Sequence, residues 1–172
     1  MAYTDRIDPR NKRTEGMKSY VTRIRALLSD IEQLEAKRRS SGGKLSEGDV
    51  FHLARCYSES GRVREAAQLL HQIADAPADP QALRFMSTVF VEARLDADAE
   101  KTLNRYLKAN PSADADAWAD LAKLQHRTGR KQAAQQSFIQ GYRIDGKRLF
   151  DRMHKDNELY ELAAPLFRRR NN

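Results

Sequence analysis

A self-similar pattern repeating every 34 residues on average constrains this chain more than any other feature. Val50, Leu83 and Trp118 stand at one equivalent position, 33 and then 35 residues apart. Three residues later come Leu53, Met86 and Leu121, followed directly by the small residues Ala54, Ser87 and Ala122. Seven residues past the anchor are Tyr57, Phe90 and Gln125, sixteen past it Ala66, Ala99 and Ala134, and twenty past it Leu70, Leu103 and Phe138. Gly61 and Gly129 share a register two periods apart. Turn signals gather around Gly42-Gly43, Gly61, Pro77 to Pro80, Pro111, Gly129 and Gly146. Between them apolar residues recur at three- and four-residue spacing and nowhere alternate over a strand's length. The chain is expected to be all-α, a series of helical hairpins. One such hairpin cannot bury both of its faces, so neighbours must stack into a continuous core.

The repeat resembles the tetratricopeptide (TPR) family. That family's pattern, W-x2-L-G-x2-Y, then A-x3-F, then P, is most complete in the third copy as Trp118-x2-Leu121-Ala122 and Ala134-x3-Phe138. The second copy supplies the closing proline, Pro111. Several positions depart from the pattern. Gln125 replaces the aromatic residue, Arg94 the glycine between helices, and Ala78 the closing proline of the first copy. The usually small residue three after Leu70, Leu103 and Phe138 is Ile73, Tyr106 and Gly141. The resemblance covers about residues 47–146. It implies a right-handed superhelical stack of helical hairpins, a TPR-like solenoid, with repeats at 47–79, 80–114 and 115–146.

Elementary packing agrees. The small residues in two columns let the helices of a hairpin approach closely, and glycine at 61 and 129 accommodates the positive φ of a tight turn. Ser46 followed by Asp49 starts the first repeat with a capping-box-like pair. Leu53, Leu70, Leu83, Phe90, Leu103, Trp118 and Phe138 are the expected large core anchors, each worth on the order of 1.5–3 kcal/mol of transfer free energy.

The ends of such a stack expose apolar faces and need caps. Residues 14–44 are read as an amphipathic capping helix and linker, with Thr14 as N-cap. Its stripe is Met17, Tyr20, Val21, Ile24, Leu27, Leu28, Ile31 and Leu34. A strict a/d subset of it covers fewer than the three to four heptads of a free coiled coil, so the helix is expected to lie against the domain. Residues 1–13 form a basic N-terminal segment, a candidate for disorder. Residues 147–172 are read as C-terminal capping helices, broken near Asp156-Asn157, and a basic tail. Pro165 is expected to shorten or kink the last helix.

Composition closes off several function classes. A single cysteine, Cys56, rules out an internal disulfide framework. No apolar run approaches the ~18 residues of a membrane span, and no signal-peptide core is present, so a cytoplasmic location is expected. The net charge of +7 is uneven: residues 1–44 carry 11 basic and 6 acidic side chains, 45–111 carry 8 and 10, and 112–172 carry 12 and 8. Basicity therefore sits at the two ends. Anionic membrane or nucleic acid would meet those ends rather than the middle, and nucleic acid is disfavoured because charge alone fits it.

No catalytic constellation stands out. Gly42-Gly43-Lys44 lacks the hydroxyl residue, first glycine and preceding strand of a phosphate loop. His52 and Cys56 lie one helical turn apart, but two ligands do not make a metal site, so neither metal nor cofactor is expected. Asp96/Asp98 and Asp114/Asp116 fall at helix starts, where carboxylates complement the dipole.

In the TPR family the first helix of each hairpin lines a concave groove that receives a protein segment. Carried over by repeat position, the groove residues are Phe51, Arg55, Ser58 and Glu59, then Arg84, Thr88, Val91 and Glu92. The third hairpin adds Asp116, Ala119, Lys123, His126 and Arg127. One subclass clamps a ligand's terminal carboxylates with Lys, Asn and Arg. Phe51, Arg55, Phe85, Asp116 and Asp120 occupy those positions here, so that clamp is absent. The mixed lining points to a ligand carrying both charge signs, or to no peptide at all. The reading is a non-enzymatic scaffold that binds a protein or peptide in this groove. Its rivals are self-association through the 15–39 helix, a basic accessory module contacting nucleic acid or anionic membrane, and a soluble module of a longer protein.

Overall fold

A computed structural model describes residues 9–75, 79–112 and 114–168. Within them the chain is helical, with no strand. In order come α1 (Pro9–Ser40), α2 (Glu47–Glu59), α3 (Val63–His71), α4 (Pro80–Glu92) and α5 (Asp96–Ala109). They are followed by α6 (Ala115–Arg127), α7 (Lys131–Ile144), α8 (Gly146–Met153) and α9 (Asn157–Arg168). These residues fall into two compact units that divide between Ala66 and Ala67.

Helix starts follow one chemical rule. Oxygen side chains accept the first orphan N–H groups where a hairpin or the C-terminal pair begins: Ser46 for α2, Asp79 for α4, Asp114 for α6 and Asp145 for α8. Asp156 does the same for the Leu159 N–H of α9. Helices α5 and α7 follow tight turns instead and have no side-chain cap. In such turns Gly61 and Gly129 adopt φ of 80° and 78°. Arg94, where glycine is missing, takes the same left-handed backbone at φ 60°. The Ser46 cap differs from a reciprocal box: Asp49 is one methylene short of Glu, and its carboxylate takes the Ser46 hydroxyl at 2.6 Å and Lys37 Nζ at 2.7 Å.

In the first unit α1 runs antiparallel to α2, tied by Lys37 to Asp49 at one end and Arg23 to Glu59 at the other. The Tyr57 hydroxyl donates to Glu35 at 2.7 Å, and burial followed by that carboxylate pushes its pKa up to about 12. Helix α1 begins at Pro9 rather than after Thr14. Proline suits a first helical position, having a preset φ and no N–H to satisfy. Residues 9–13 are thus helical, while residues 1–8 lie outside the described residues. Only the C-terminal part of the α1 stripe is fully covered: Ile31 and Leu34 are buried, whereas Met17, Tyr20, Val21 and Leu28 are exposed. Length explains Met17, Tyr20 and Val21, which lie beyond the Arg23–Glu59 tie where α2 ends, whereas Leu28 lies within the overlap on a side α2 does not cover. At 1.5 Å per residue, the 32 residues of α1 outreach the 13 of α2 by roughly 28 Å.

In the second unit α4 packs on α5 and α6 on α7, with the small columns at the crossings: Ser87, Ala99, Ala122 and Ala134 are all fully buried. Leu83, Phe90, Leu103 and Phe138 fill the core. Trp118 is only half-buried, and its Nε1 donates to the Pro111 carbonyl at 2.9 Å, linking tryptophan to the proline that precedes α6. Gln125, in the aromatic column, accepts the Ser137 hydroxyl of α7 at 2.8 Å. At Gly141 an added Cβ would lie 2.9 Å from the Ala115 carbonyl oxygen and 3.0 Å from Trp118 Cβ, so only glycine lets α7 sit this close to α6.

Helices α8 and α9 close this core. Leu149, Met153, Leu159, Leu162 and Ala163 join Ala115, Ala119, Ala122, Ala134 and Phe138 in one cluster. Phe167 meets Tyr142 edge-on at 5.6 Å between centroids. Pro165 neither shortens nor ends α9, which continues to Arg168. Proline forfeits the bond to the carbonyl of exposed Glu161. Leu162 and Ala163 before it, and Leu166 and Phe167 after it, pack on the core cluster and offset that loss. Arg169 and Arg170 of the basic C-terminal run, and Pro77 and Ala78 before α4, lie outside the described residues. No helix among the described residues is long and apolar enough to cross a membrane.

Candidate interaction site

The second unit carries a depression of about 390 Å³ lined by Arg84, Thr88, Val91 and Glu92 of α4, Asp116, Asp120 and Lys123 of α6, and Arg152 of α8. Six of these eight are residues the repeat register assigned to the groove. Its floor is a continuous charge network. Arg84 reaches Asp114 at 2.6 Å and Asp120 at 3.1 Å. Asp120 is buried and also pairs with Arg152. Arg152 continues to Asp116 at 3.1 Å, and Asp116 takes Arg148 at 2.5 Å.

A second branch fixes α9. Lys123 meets Asp156 at 2.5 Å and Glu158 at 3.7 Å. Arg127 reaches Glu158 at 2.6 Å and Asp96 at 3.2 Å. The side chains of Lys123 and Arg127 are only 12% and 16% exposed, and both cations hold the C-terminal helix, Lys123 from the wall of the depression. Asp156 and Glu158 stand at the N-terminus of α9, where negative charge complements the dipole.

Asp116, Asp156 and Glu158 titrate low. Burial alone would raise Asp116, but the Arg148 hydrogen bond and the Arg152 charge outweigh it. Asp156 is likewise lowered against burial by Lys123 and the Leu159 N–H. The Arg127 hydrogen bond leads in holding Glu158 down. For Arg152 burial opposes the charge, and the carboxylates of Asp120 and Asp116 more than offset it.

These pairings change what the lining can select. The alternation of charge does not call for a ligand of both signs, because most of the lining charges neutralise one another inside the unit. Ala119 is fully buried in the α6–α8–α9 core and does not line the depression. His126 is half-buried in the last turn of α6. On α2, in the first unit, Phe51 and Ser58 are half-buried, Arg55 is exposed, and Glu59 is paired with Arg23. The edge of the depression is formed by half-buried Val91 and exposed Glu92, with Thr88 donating its hydroxyl to the Arg84 carbonyl at 3.0 Å.

Three groups of contributors carry no sequence signal of their own. Arg148 and Arg152 sit outside the repeats, in a short helix whose docking brings them to α6. Asp156 and Glu158 look like ordinary helix-start acids until their partners are seen. Asp30 of α1 joins His52 and Cys56 of α2, so that the three ligand atoms lie within 4.8 Å of one another. The pair expected to be insufficient for a metal thus has a third potential ligand, 22 residues upstream of His52.

No protein-family model and no curated protein sequence matches the chain. Solved structures do. A MamA structure from MSR-1 is 21% identical, covers 82% of this chain and 94% of its own, and superposes with a TM-score of 0.54. A MamA structure from AMB-1 is 21% identical over 83% of this chain and 94% of its own, at 0.56. A further MamA crystal structure is 17% identical over 90% and 78%, at 0.61. The fold is that of a TPR-like helical solenoid. In a TPR-like arrangement α4 and α6 are first helices of their hairpins, and the 390 Å³ depression lies on the face those helices share.

Proposed function

We propose that the chain is a non-enzymatic TPR scaffold of three repeats that binds a protein segment along the first helices of its hairpins. The depression between α4 and α6 carries this reading. Its walls are fixed by part-buried ion pairs, while Thr88, Val91 and Glu92 remain at its edge. Preorganised walls favour binding because little ordering is left to do when a ligand arrives. Val91 offers an apolar contact and Glu92 a carboxylate, which suits a segment presenting an apolar side chain beside a basic one. The TPR-like fold supports the reading, since such folds serve as protein-interaction scaffolds. By repeat register Phe51, Arg55, Ser58 and Glu59 on α2 occupy the corresponding positions of the first hairpin.

The test spares the ion network, including Thr88, whose hydroxyl accepts from Arg84 Nη1 at 3.1 Å. A Val91→Arg, Glu92→Arg double variant is expected to keep its unfolding midpoint and lose partners captured by the wild-type chain from native extract. Unchanged recovery removes the depression from the interaction surface.

A second reading rests on one observation, the exposure of Met17, Tyr20, Val21 and Leu28 on α1. Those side chains suit self-association. A monomer at tens of micromolar by light scattering would dismiss it.

A further inference from the structure

His52 and Cys56 stand one turn apart on α2, on the side that meets α1, and Asp30 of α1 stands opposite them. A carboxylate oxygen, a ring nitrogen and the Cys56 sulfur all lie within 4.8 Å of one another. His52 Nε2 is 3.7 Å from Asp30 Oδ2. We propose that Asp30, His52 and Cys56 form a binding site for a divalent transition-metal ion of the zinc type, with water as the fourth ligand.

The donor set selects the ion class. One thiolate, one imidazole and one carboxylate match the borderline-soft preference of Zn²⁺, whereas Ca²⁺ and Mg²⁺ require shells of oxygen. Distances also fit. Bonds of about 2.0–2.3 Å in a tetrahedron place ligand atoms roughly 3.3–3.8 Å apart. The Asp30–His52 separation already falls there, and the widest allowed separation needs to close by only about an ångström. Both mobile partners can supply that closure, because the His52 and Asp30 side chains are 56% and 46% exposed. Cys56, by contrast, is buried and fixed, so the sulfur anchors the site.

Binding forms a sulfur–metal bond and breaks the thiol S–H bond, the proton leaving to solvent. The imidazole binds through a neutral ring nitrogen, and the carboxylate is already ionised. Two anionic ligands then balance the dication. The ion would staple α1 to α2 beside the Ile31 and Leu34 contacts, on the half of α1 that is already packed.

The test uses the full chain, stripped by a chelator and titrated with Co²⁺ alone. Expected is a sulfur-to-cobalt charge-transfer band saturating at one equivalent and bleached by Zn²⁺. Cys56→Ser should abolish the band, while Asp30→Asn and His52→Gln should each weaken binding by about tenfold or more. Failure of the band to form, or affinities unchanged in both of the latter variants, overturns the site. Zinc-edge X-ray absorption on the wild-type chain tests the site without depending on any variant's folding. One sulfur near ~2.3 Å with nitrogen and oxygen near ~2.0–2.1 Å is expected, and a shell without sulfur refutes the proposal.

Discussion

Asp120 is the residue whose loss the second unit should feel most among its polar groups. The residue is 6% exposed, and its carboxylate holds Arg84 of α4 through one oxygen and Arg152 of α8 through the other. Removing one member of a fully buried ion pair costs about 3–5 kcal/mol, because the partner charge is left buried alone. Here each arginine retains a second carboxylate, Asp114 for Arg84 and Asp116 for Arg152, and both arginines are about a quarter exposed. Asp120→Ala should therefore destabilise the chain by about 2–3 kcal/mol, below the full penalty. With a urea m-value of roughly 2 kcal/mol/M, the unfolding midpoint by circular dichroism should fall by about 1–1.5 M. The loss should persist at about 1 M salt, where the Debye length shrinks to about 3 Å and exposed pairs are screened. A midpoint within about 0.2 M of wild type, or a loss abolished by salt, would mean that this network is superficial and refute the reasoning.

Backbone and pH supply the remaining predictions. Gly141→Ala forces a Cβ against the Ala115 carbonyl oxygen and should cost about 1–3 kcal/mol by urea unfolding. Arg94→Gly should gain up to about 1 kcal/mol in the same assay, since it relieves a left-handed non-glycine backbone and sacrifices only an exposed pair to Glu158. A neutral Gly141→Ala, or a destabilising Arg94→Gly, would contradict the close α6–α7 approach or the strained turn. Asp116, Asp156 and Glu158 have folded pKa values below the ordinary 3.8 and 4.5. The unfolded chain thus binds protons first on acidification. Their stabilisation is complete above those ordinary values and is lost as pH falls through the lowered folded ones. Thermal midpoints should hold from pH 7 to about pH 5 and drop steeply below about pH 4.5; a flat profile to about pH 3 contradicts the network.

What could be read in the sequence was whatever local chemistry or repetition encodes. The alanine columns, the glycine turns and the capping aspartates each recur at fixed register, so they declare helix crossings and starts without a partner being known. The tolerance of Pro165 was not legible, because it depends on the apolar residues of α9 finding the α6–α8 core. Nor was the role of Lys123 and Arg127, which read as groove cations until α9 places two carboxylates against them. Asp30 is the clearest case. Nothing in a sequence tells that a residue on α1 faces His52 and Cys56, since that proximity comes from the register of two antiparallel helices.

That partner protein lies along α4 and α6 of the second unit is tested most directly by site-specific photo-crosslinking. A photoreactive side chain at Val91, on the rim of the depression, is compared with one at exposed Gln136 on α7. A discrete crosslinked protein is expected from position 91 and none from position 136. Equal labelling from both positions, or a product from 136 alone, would contradict the proposed surface.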